Sequence, residues 1–153
     1  MNATPEQILA ELLESGPRRL APEVNAVLRS VWPKLRAPQR NHACAELIAL
    51  FRRAGYVSDG IPQPEEEITV YRGELVDTHA PGISWTTDFE TAKRYAQGYA
   101  TVGHTQVMQA IASPVAVLGR FVLDAEVVVA PELLNCAERL GYVHHFTLSH
   151  LAL

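Results

Sequence analysis

Three short segments, far apart in the chain, carry side chains that could do chemistry together. Arg72 closes an apolar, β-branched run and is followed at once by Gly73. A planar guanidinium can fork onto a phosphate and a glycine lets a ligand approach the backbone, so this pair could clamp an anion. Ser84 and Thr86 would share one face of a strand, where their hydroxyls could orient a carboxylate. A solvated arginine and a polar strand end that caps a helix are the plainer alternatives.

Asp124 and Glu126 are the candidate carboxylates for such a site. They stand two residues apart and would share one face of a strand. The valine run 127–129 that follows them should be buried. A glutamate at the edge of a buried strand is costly unless it is paired or used, so Glu126 is a candidate catalytic group. The alternative is a polar loop that only leads into the strand.

The hydrophobic pattern predicts the elements that must position these residues. Helices are expected at about 5–15, 22–31 and 38–54, within a helical N-terminal segment 1–57. A proline-rich connector, 58–64, leads to a region 65–153 with strands at about 68–71, 82–86, 106–111, 115–121, 126–129 and 143–148. Asp88 can cap a helix over about 89–98, and Pro131 can start a short one. Many short strands with few short helices predict an α+β fold.

Aromatic side chains near these segments have two interpretations. Tyr95 and Tyr99, four residues apart on the predicted helix, could pack in the core or form a stacking wall for a ring of a ligand. Trp85 could likewise stack on a bound ring or pack under the N-terminal helices. The residues alone leave both interpretations open.

The order of an arginine strand, a Ser-x-Thr strand and a carboxylate-x-Glu strand resembles the mono-ADP-ribosyltransferase superfamily of the Arg-Ser-Glu type. Tyr71-Arg72-Gly73 is similar to the aromatic-Arg-Gly motif of that family. Ser84-Trp85-Thr86 is similar to its Ser-Thr-Ser motif, and Asp124-Ala125-Glu126 to its Glu/Gln-x-Glu motif. The resemblance covers residues 68–131 and leaves out the helical N-terminus.

The resemblance implies a split β-sandwich that grips NAD, as a co-substrate, in the cleft between two small sheets. It implies that Arg72 holds the NAD phosphates or the adjacent ribose, and that the Gly73 backbone bonds the nicotinamide amide. Ser84 would position Glu126. Glu126 would bind the nicotinamide-ribose 2′-hydroxyl and stabilise the oxocarbenium-like transition state. The remaining candidate NAD-binding residues are Trp85, Thr86 and Tyr95.

The expected activity is therefore cleavage of the nicotinamide–ribose bond and transfer of ADP-ribose to an unknown acceptor, which we expect to be macromolecular. The sequence departs from the family motifs at two positions, and these differences leave other activities open. Trp85 is a larger ring than the family's serine motif shows, and Asp124 stands where the family has Glu or Gln, a position that helps to choose the acceptor. Asp124 could act as a general base or orient an acceptor group. The rivals are hydrolysis of NAD, as in a glycohydrolase, and a non-catalytic binding module on the same scaffold.

Composition and charge limit the kinds of ligand and site that the sequence predicts. The chain has 153 residues and a net charge of −4, with +3 over the first 57 residues and −7 over the rest. This balance does not indicate nucleic-acid binding by phosphate neutralisation, although a nucleic acid stays open as the acceptor. Two cysteines cannot build a disulfide framework or a four-cysteine zinc site, and no metal is expected.

The expected location is the cytoplasm, and no membrane partner is expected. No apolar run is long enough to span a bilayer, and the first residues lack the pattern of a Sec-type signal. Delivery into another cell by a different route stays open. Three biological roles also stay open, which are those of a toxin or effector, a phage-encoded modifier and a housekeeping enzyme.

Overall fold

The computed structural model describes residues 2–40, 42–76 and 82–143, and this part of the chain is mixed α and β. Its helices are α1 (Pro5–Ser15), α2 (Ala21–Val31), α3 (Cys44–Ala54) and α4 (Phe89–Tyr99). Its strands are β1 (Val57–Ser58), β2 (Ile68–Leu75), β3 (Ser84–Thr86), β4 (Thr105–Ala112), β5 (Val117–Phe121), β6 (Glu126–Val129) and β7 (Asn135–Val143). The predicted α+β class is confirmed. None of the described helices is long and apolar enough to cross a membrane.

The strands form one sheet in the order β1-β5-β6-β3-β2-β4-β7. All neighbours are antiparallel except β1 and β5, which are parallel. β2 pairs with β4 along its whole length. In contrast, over the described residues β2 meets β3 at the single register pair of Tyr71 and Thr86. The sheet is therefore nearly divided there, with β1, β5, β6 and β3 in one half and β2, β4 and β7 in the other.

The first two N-terminal helices begin close to where the sequence predicts. Thr4 caps α1, since its hydroxyl accepts the backbone N–H of Gln7 while the Gln7 side chain accepts the N–H of Thr4. The third helix is shorter than predicted, because it begins at Cys44 and only a 3-10 turn, Pro38–Arg40, precedes it. Ala43 is extended, with φ −65° and ψ 139°, so the helix cannot continue backwards through it.

The helices α1, α2 and α3 share one hydrophobic core with the β1-β5-β6-β3 half of the sheet. Leu12 of α1, Leu28 of α2 and Phe51 of α3 are each at most 1% exposed. They belong to the same cluster as buried side chains on and beside the strands, namely Ile83, Leu118, Phe121 and Val128. Burying one side chain of this size contributes roughly 1.5–3 kcal/mol. The helical N-terminal segment is thus a packed layer of the fold.

On the other half of the sheet, α4 packs closely on β2. Ala92 and Ala96 are fully buried and face Gly73. A Cβ atom at residue 73 would overlap the carbonyl oxygen of Ala92 and lie 2.6 Å from the backbone nitrogen of Ala96. Gly73 therefore sets the distance between this helix and its strand.

Several strands differ from their predicted bounds. β2 continues to Leu75 because its ladder with β4 continues, so Arg72 lies within the strand and not at its end. β1 has only two residues and is held by its pairing with β5. Two residues are too few to give a recognisable strand pattern, so the sequence does not predict it. The hydrophobic pattern does not predict β7 either, because polar residues and Gly141 interrupt its apolar residues. The predicted strand 143–148 lies outside the described residues apart from Val143, which ends β7.

The packing of α4 on β2 predicts that Gly73→Ala destabilises the fold. The overlap with the α4 backbone cannot be relieved by turning a side chain, so we expect a loss of about 3 kcal/mol in the free energy of unfolding. Gly98→Ala is the matched control. Gly98 lies in α4 with open space around its missing side chain, and alanine there should stabilise by about 0.5–1 kcal/mol. Urea unfolding measures both, and equal stability of Gly73→Ala and wild type would contradict this account.

Candidate active site

A cleft opens where β2 and β3 diverge. Its cavity volume is about 190 Å³, below the roughly 300–1,000 Å³ of typical small-molecule sites, and it is open to solvent at its mouth. Its walls come from the segment after α2, from β2 and β3, from α4 and from the turn before β6. The cleft brings together all of the site residues that the sequence predicts, which are Arg72, Gly73, Ser84, Trp85, Thr86, Tyr95, Asp124 and Glu126.

Ser84 and Glu126 form a hydroxyl–carboxylate pair across two strands. In the antiparallel register of β3 and β6, Thr86 lies opposite Glu126, and Ser84 is the next residue on the same face. The Ser84 hydroxyl donates to Glu126 Oε2 at 2.6 Å. A contact of this length is typical of a hydrogen bond to an ionised carboxylate. The pair therefore fixes one oxygen of the Glu126 carboxylate.

The Arg72 guanidinium is held on two sides. Its Nη1 donates to the backbone oxygen of Ser84 at 2.7 Å, and its Nε donates to Glu74 Oε2 at 3.3 Å. Glu74 is 8% exposed and also accepts a hydrogen bond from Gln106 at 3.0 Å. A Cβ atom at position 82 would overlap the Arg72 guanidinium. The absence of a side chain at Gly82 therefore leaves space for the guanidinium. Although Arg72 lies within β2, its side chain is fixed where it lines the cleft.

Trp32, in the turn after α2, is a site residue that the sequence analysis did not identify. Its Nε1 donates to Glu126 Oε2 at 3.0 Å. The same segment supplies Gln39, whose Oε1 accepts the backbone N–H of Ile83 at 3.0 Å. In the sequence, the Trp-Pro pair indicates only the end of a helix. No local signal connects Trp32 with a glutamate 94 positions further along the chain.

Asp124 lies in a tight turn before β6 and not on the strand. It has φ 59° and Ala125 has φ 46°, which is left-handed backbone that residues other than glycine adopt rarely. Thr86 holds this turn, because its hydroxyl donates to the backbone oxygen of Asp124 at 2.7 Å. The Asp124 carboxylate accepts a hydrogen bond from the Tyr95 hydroxyl at 2.7 Å. The expectation that Asp124 and Glu126 share one strand face is therefore wrong, since the turn separates them.

The predicted aromatic and glycine residues of the site have different surroundings. Tyr95 is 52% exposed and lines the cleft, so it does not pack in the core. Trp85 is 4% exposed and packs in a core cluster of the sheet, not under the N-terminal helices. Its Nε1 donates to the backbone oxygen of Gly82 at 2.9 Å. This burial favours packing over ligand stacking for Trp85. The close approach at Gly73 is to α4, although its backbone borders the cleft.

Two ionisable groups of the cleft have shifted pKa values. Burial raises the pKa of Glu126, hydrogen bonds from Ser84 and Trp32 oppose that rise, and the negative charge of Asp124 adds to it. Burial, the hydrogen bond to Asp124 and the surrounding negative charges raise the pKa of Tyr95 to about 12, so its phenol remains a donor near neutral pH. A carboxyl group with a shifted pKa in a cleft marks a candidate functional site.

No family model, no curated protein and no solved structure matches the chain. Across residues 2–40, 42–76 and 82–143, no group of three or more His, Cys, Asp or Glu could hold a metal ion. The geometry and charge of the cleft are therefore the observations that bear on function.

The raised pKa of Glu126 predicts how stability depends on pH. The folded protein holds this proton more tightly than the unfolded chain, whose glutamate value is 4.5. As pH rises from that value through the folded pKa, wild type should lose stability relative to Glu126→Gln. The loss should approach about 1.4 kcal/mol for each pKa unit by which folding raises the group. Urea unfolding of both proteins across this pH range measures the difference. A difference that is constant with pH, or that changes in the opposite direction, would contradict the shift.

Proposed function

We propose that the protein cleaves NAD at the nicotinamide–ribose bond and transfers ADP-ribose to an acceptor. The observation that carries the proposal is the meeting of Arg72, Ser84 and Glu126 in one cleft. Ser84 is separated from Arg72 by 12 positions and from Glu126 by 42. Three residue types that the chemistry requires thus come together from three different strands, and this supports the proposal more strongly than any one motif does.

The charges of the cleft match the two ends of the reaction. Arg72 supplies a planar cation that can fork onto the pyrophosphate of NAD. Glu126 supplies a carboxylate on the other side of Ser84, and Arg72 and Glu126 make no hydrogen bond to each other among the described contacts. Cleavage moves positive charge from the nicotinamide ring onto the ribose, and a fixed carboxylate stabilises that charge. An anion site beside a carboxylate is the arrangement that the reaction needs.

In the proposed reaction, the bond between the ribose C1′ and the nicotinamide nitrogen breaks, and nicotinamide leaves with the bonding electron pair. Ionised Glu126 binds the ribose 2′-hydroxyl and stabilises the oxocarbenium-like ribose, while Ser84 keeps the carboxylate in place. A nucleophilic atom of the acceptor then bonds to C1′ and loses its proton. Asp124 receives that proton or orients the acceptor.

The strands form one sheet, and we propose that its two halves correspond to the two small sheets of the split β-sandwich that the sequence resemblance implies. β2 and β3 share one register pair, and the cleft lies beside that junction. A dinucleotide could lie between the two halves, with Tyr95 and Tyr99 offering aromatic surface on the α4 side.

The rim of the cleft favours transfer over hydrolysis. Leu123 and Tyr95 are 58% and 52% exposed, and Asp124 follows Leu123 in the chain and accepts a hydrogen bond from Tyr95. Apolar surface beside an oriented carboxylate suits a larger acceptor better than it suits water.

Nicotinamide release from NAD tests the proposed function. Wild type should release nicotinamide, and Glu126→Gln should release it about 100- to 1,000-fold more slowly, because the fixed charge beside the ribose is lost. Glu66→Gln is the matched control, since Glu66 is an exposed glutamate outside the cleft, and it should keep the wild-type rate. Equal turnover in wild type and Glu126→Gln would contradict the assignment of Glu126.

Labelled NAD added to a cell lysate separates the rival activities. Label on a macromolecule identifies transfer, and free ADP-ribose as the sole product identifies hydrolysis. A thermal-shift titration with NAD covers the remaining rival. If the wild-type protein shows neither NAD turnover nor NAD binding, the proposal is overturned. That result would favour a binding module with another ligand.

A further inference from the structure

The helical N-terminal segment reaches into the cleft through one side chain. Trp32 follows α2 directly and is 3% exposed. Its ring packs edge-to-face on Phe51 of α3, with ring centroids 4.8 Å apart and an interplanar angle of 89°. Because the core fixes the ring on this side, the direction of the indole N–H is fixed as well. That N–H donates to Glu126 Oε2 at 3.0 Å.

Two donors converge on a single oxygen of Glu126. The Ser84 hydroxyl and the Trp32 indole both bond Oε2, at 2.6 Å and 3.0 Å. Over the described residues, Oε1 has no hydrogen-bond partner, and Glu126 borders the cleft. One donor would leave the carboxylate free to rotate about its contact, whereas two donors from different elements hold its plane. The second oxygen is thereby left for a ligand.

The two donors have different chemistry. A serine hydroxyl can donate or accept, so it can bond the carboxyl group in either protonation state. An indole N–H can only donate. Trp32 therefore favours the ionised carboxylate and an orientation in which Oε2 faces the helices. Ser84 alone could not impose this choice.

We infer that Trp32 is a positioning residue for Glu126, and that the helical N-terminal segment completes the active site through this hydrogen bond. The catalytic part of this inference rests on the proposed function, because there Glu126 is the group that would contact the ribose. The hydrogen bond itself and its effect on the carboxylate do not depend on which substrate the cleft binds. The two statements can therefore fail separately.

The first experiment compares Trp32→Phe with Leu12→Val. Trp32→Phe keeps an aromatic ring against α3 and removes only the donor. Leu12→Val disturbs the same core cluster but keeps the donor and its ring contact with Phe51. If Trp32 positions the carboxylate, Trp32→Phe should lower kcat for nicotinamide release roughly 10- to 100-fold with little change in KM. Leu12→Val should retain most of kcat even if it lowers the thermal stability as much as Trp32→Phe does.

The pH dependence of the same variants separates positioning from loss of structure. Removing a donor to the ionised form should raise the pKa of Glu126, so the acidic limb of kcat/KM should move to higher pH in Trp32→Phe. The nearby acidic groups, Asp124 and Asp59, are unchanged in this variant. Leu12→Val should keep the wild-type acidic limb. Unshifted profiles in both variants, or equal shifts in both, would overturn the inference.

A second measurement uses the wild-type protein and needs no Trp32 variant to fold. The chain has two tryptophans, and their indole N–H signals can be followed by NMR as pH changes. The Trp32 signal should titrate with the midpoint of the Glu126 carboxyl carbon, and this titration should vanish in Glu126→Gln. Trp85 is the internal control, because its indole donates to a backbone oxygen and should move little. A Trp32 signal that is flat with pH would overturn the inference whatever the turnover assay shows. A titrating signal without NAD turnover would support the inference and contradict the proposed function.

Discussion

Ser84 connects the two charged groups of the cleft, and the rest of the site depends on this double contact. Its backbone oxygen accepts a hydrogen bond from Arg72 at 2.7 Å, and its hydroxyl donates to Glu126 at 2.6 Å. β3 has only three residues, but it pairs with β6 on one side and touches β2 on the other. The serine is therefore held by strand pairing at the junction of the two half-sheets. Groups fixed in this way need little reorganisation when charge develops beside them.

The sequence predicts the strands that carry these residues, because each strand has a local apolar and β-branched signature. It does not predict which strands are neighbours. The order β6-β3-β2 depends on contacts between distant parts of the chain, and only the family resemblance suggested that Arg72, Ser84 and Glu126 would meet. Trp32 shows the limit most clearly. Its partner lies 94 positions away, and the packing of the helices on the sheet, which no short motif encodes, brings the two together.

Asp124 shows a different limit, because it lines the cleft but lies on a different element from the one that the sequence predicts. Two carboxyl groups at i and i+2 share a face only if both lie on a strand. The strand begins two residues too late for that, at Glu126, because Asp124 and Ala125 both have positive φ. Aspartate tolerates this backbone better than most residues, but alanine does not favour it, so the sequence carries no turn signal there. The hydrogen bond from Thr86 supplies what the local sequence lacks.

The cleft keeps two opposite charges close together without pairing them, and this separation bears on the proposed chemistry. A direct pair between Arg72 and Glu126 would leave less of the negative charge of Glu126 available to a ligand. Here Glu74 compensates Arg72 from within β2, whereas Glu126 receives only neutral donors, from Ser84 and Trp32. Neutral donors offset burial incompletely, so the pKa of Glu126 stays raised. In the proposed reaction, positive charge arrives beside this carboxylate as the glycosidic bond breaks. The stabilisation would thus be strongest in the transition state, which is the condition for binding energy to accelerate a reaction.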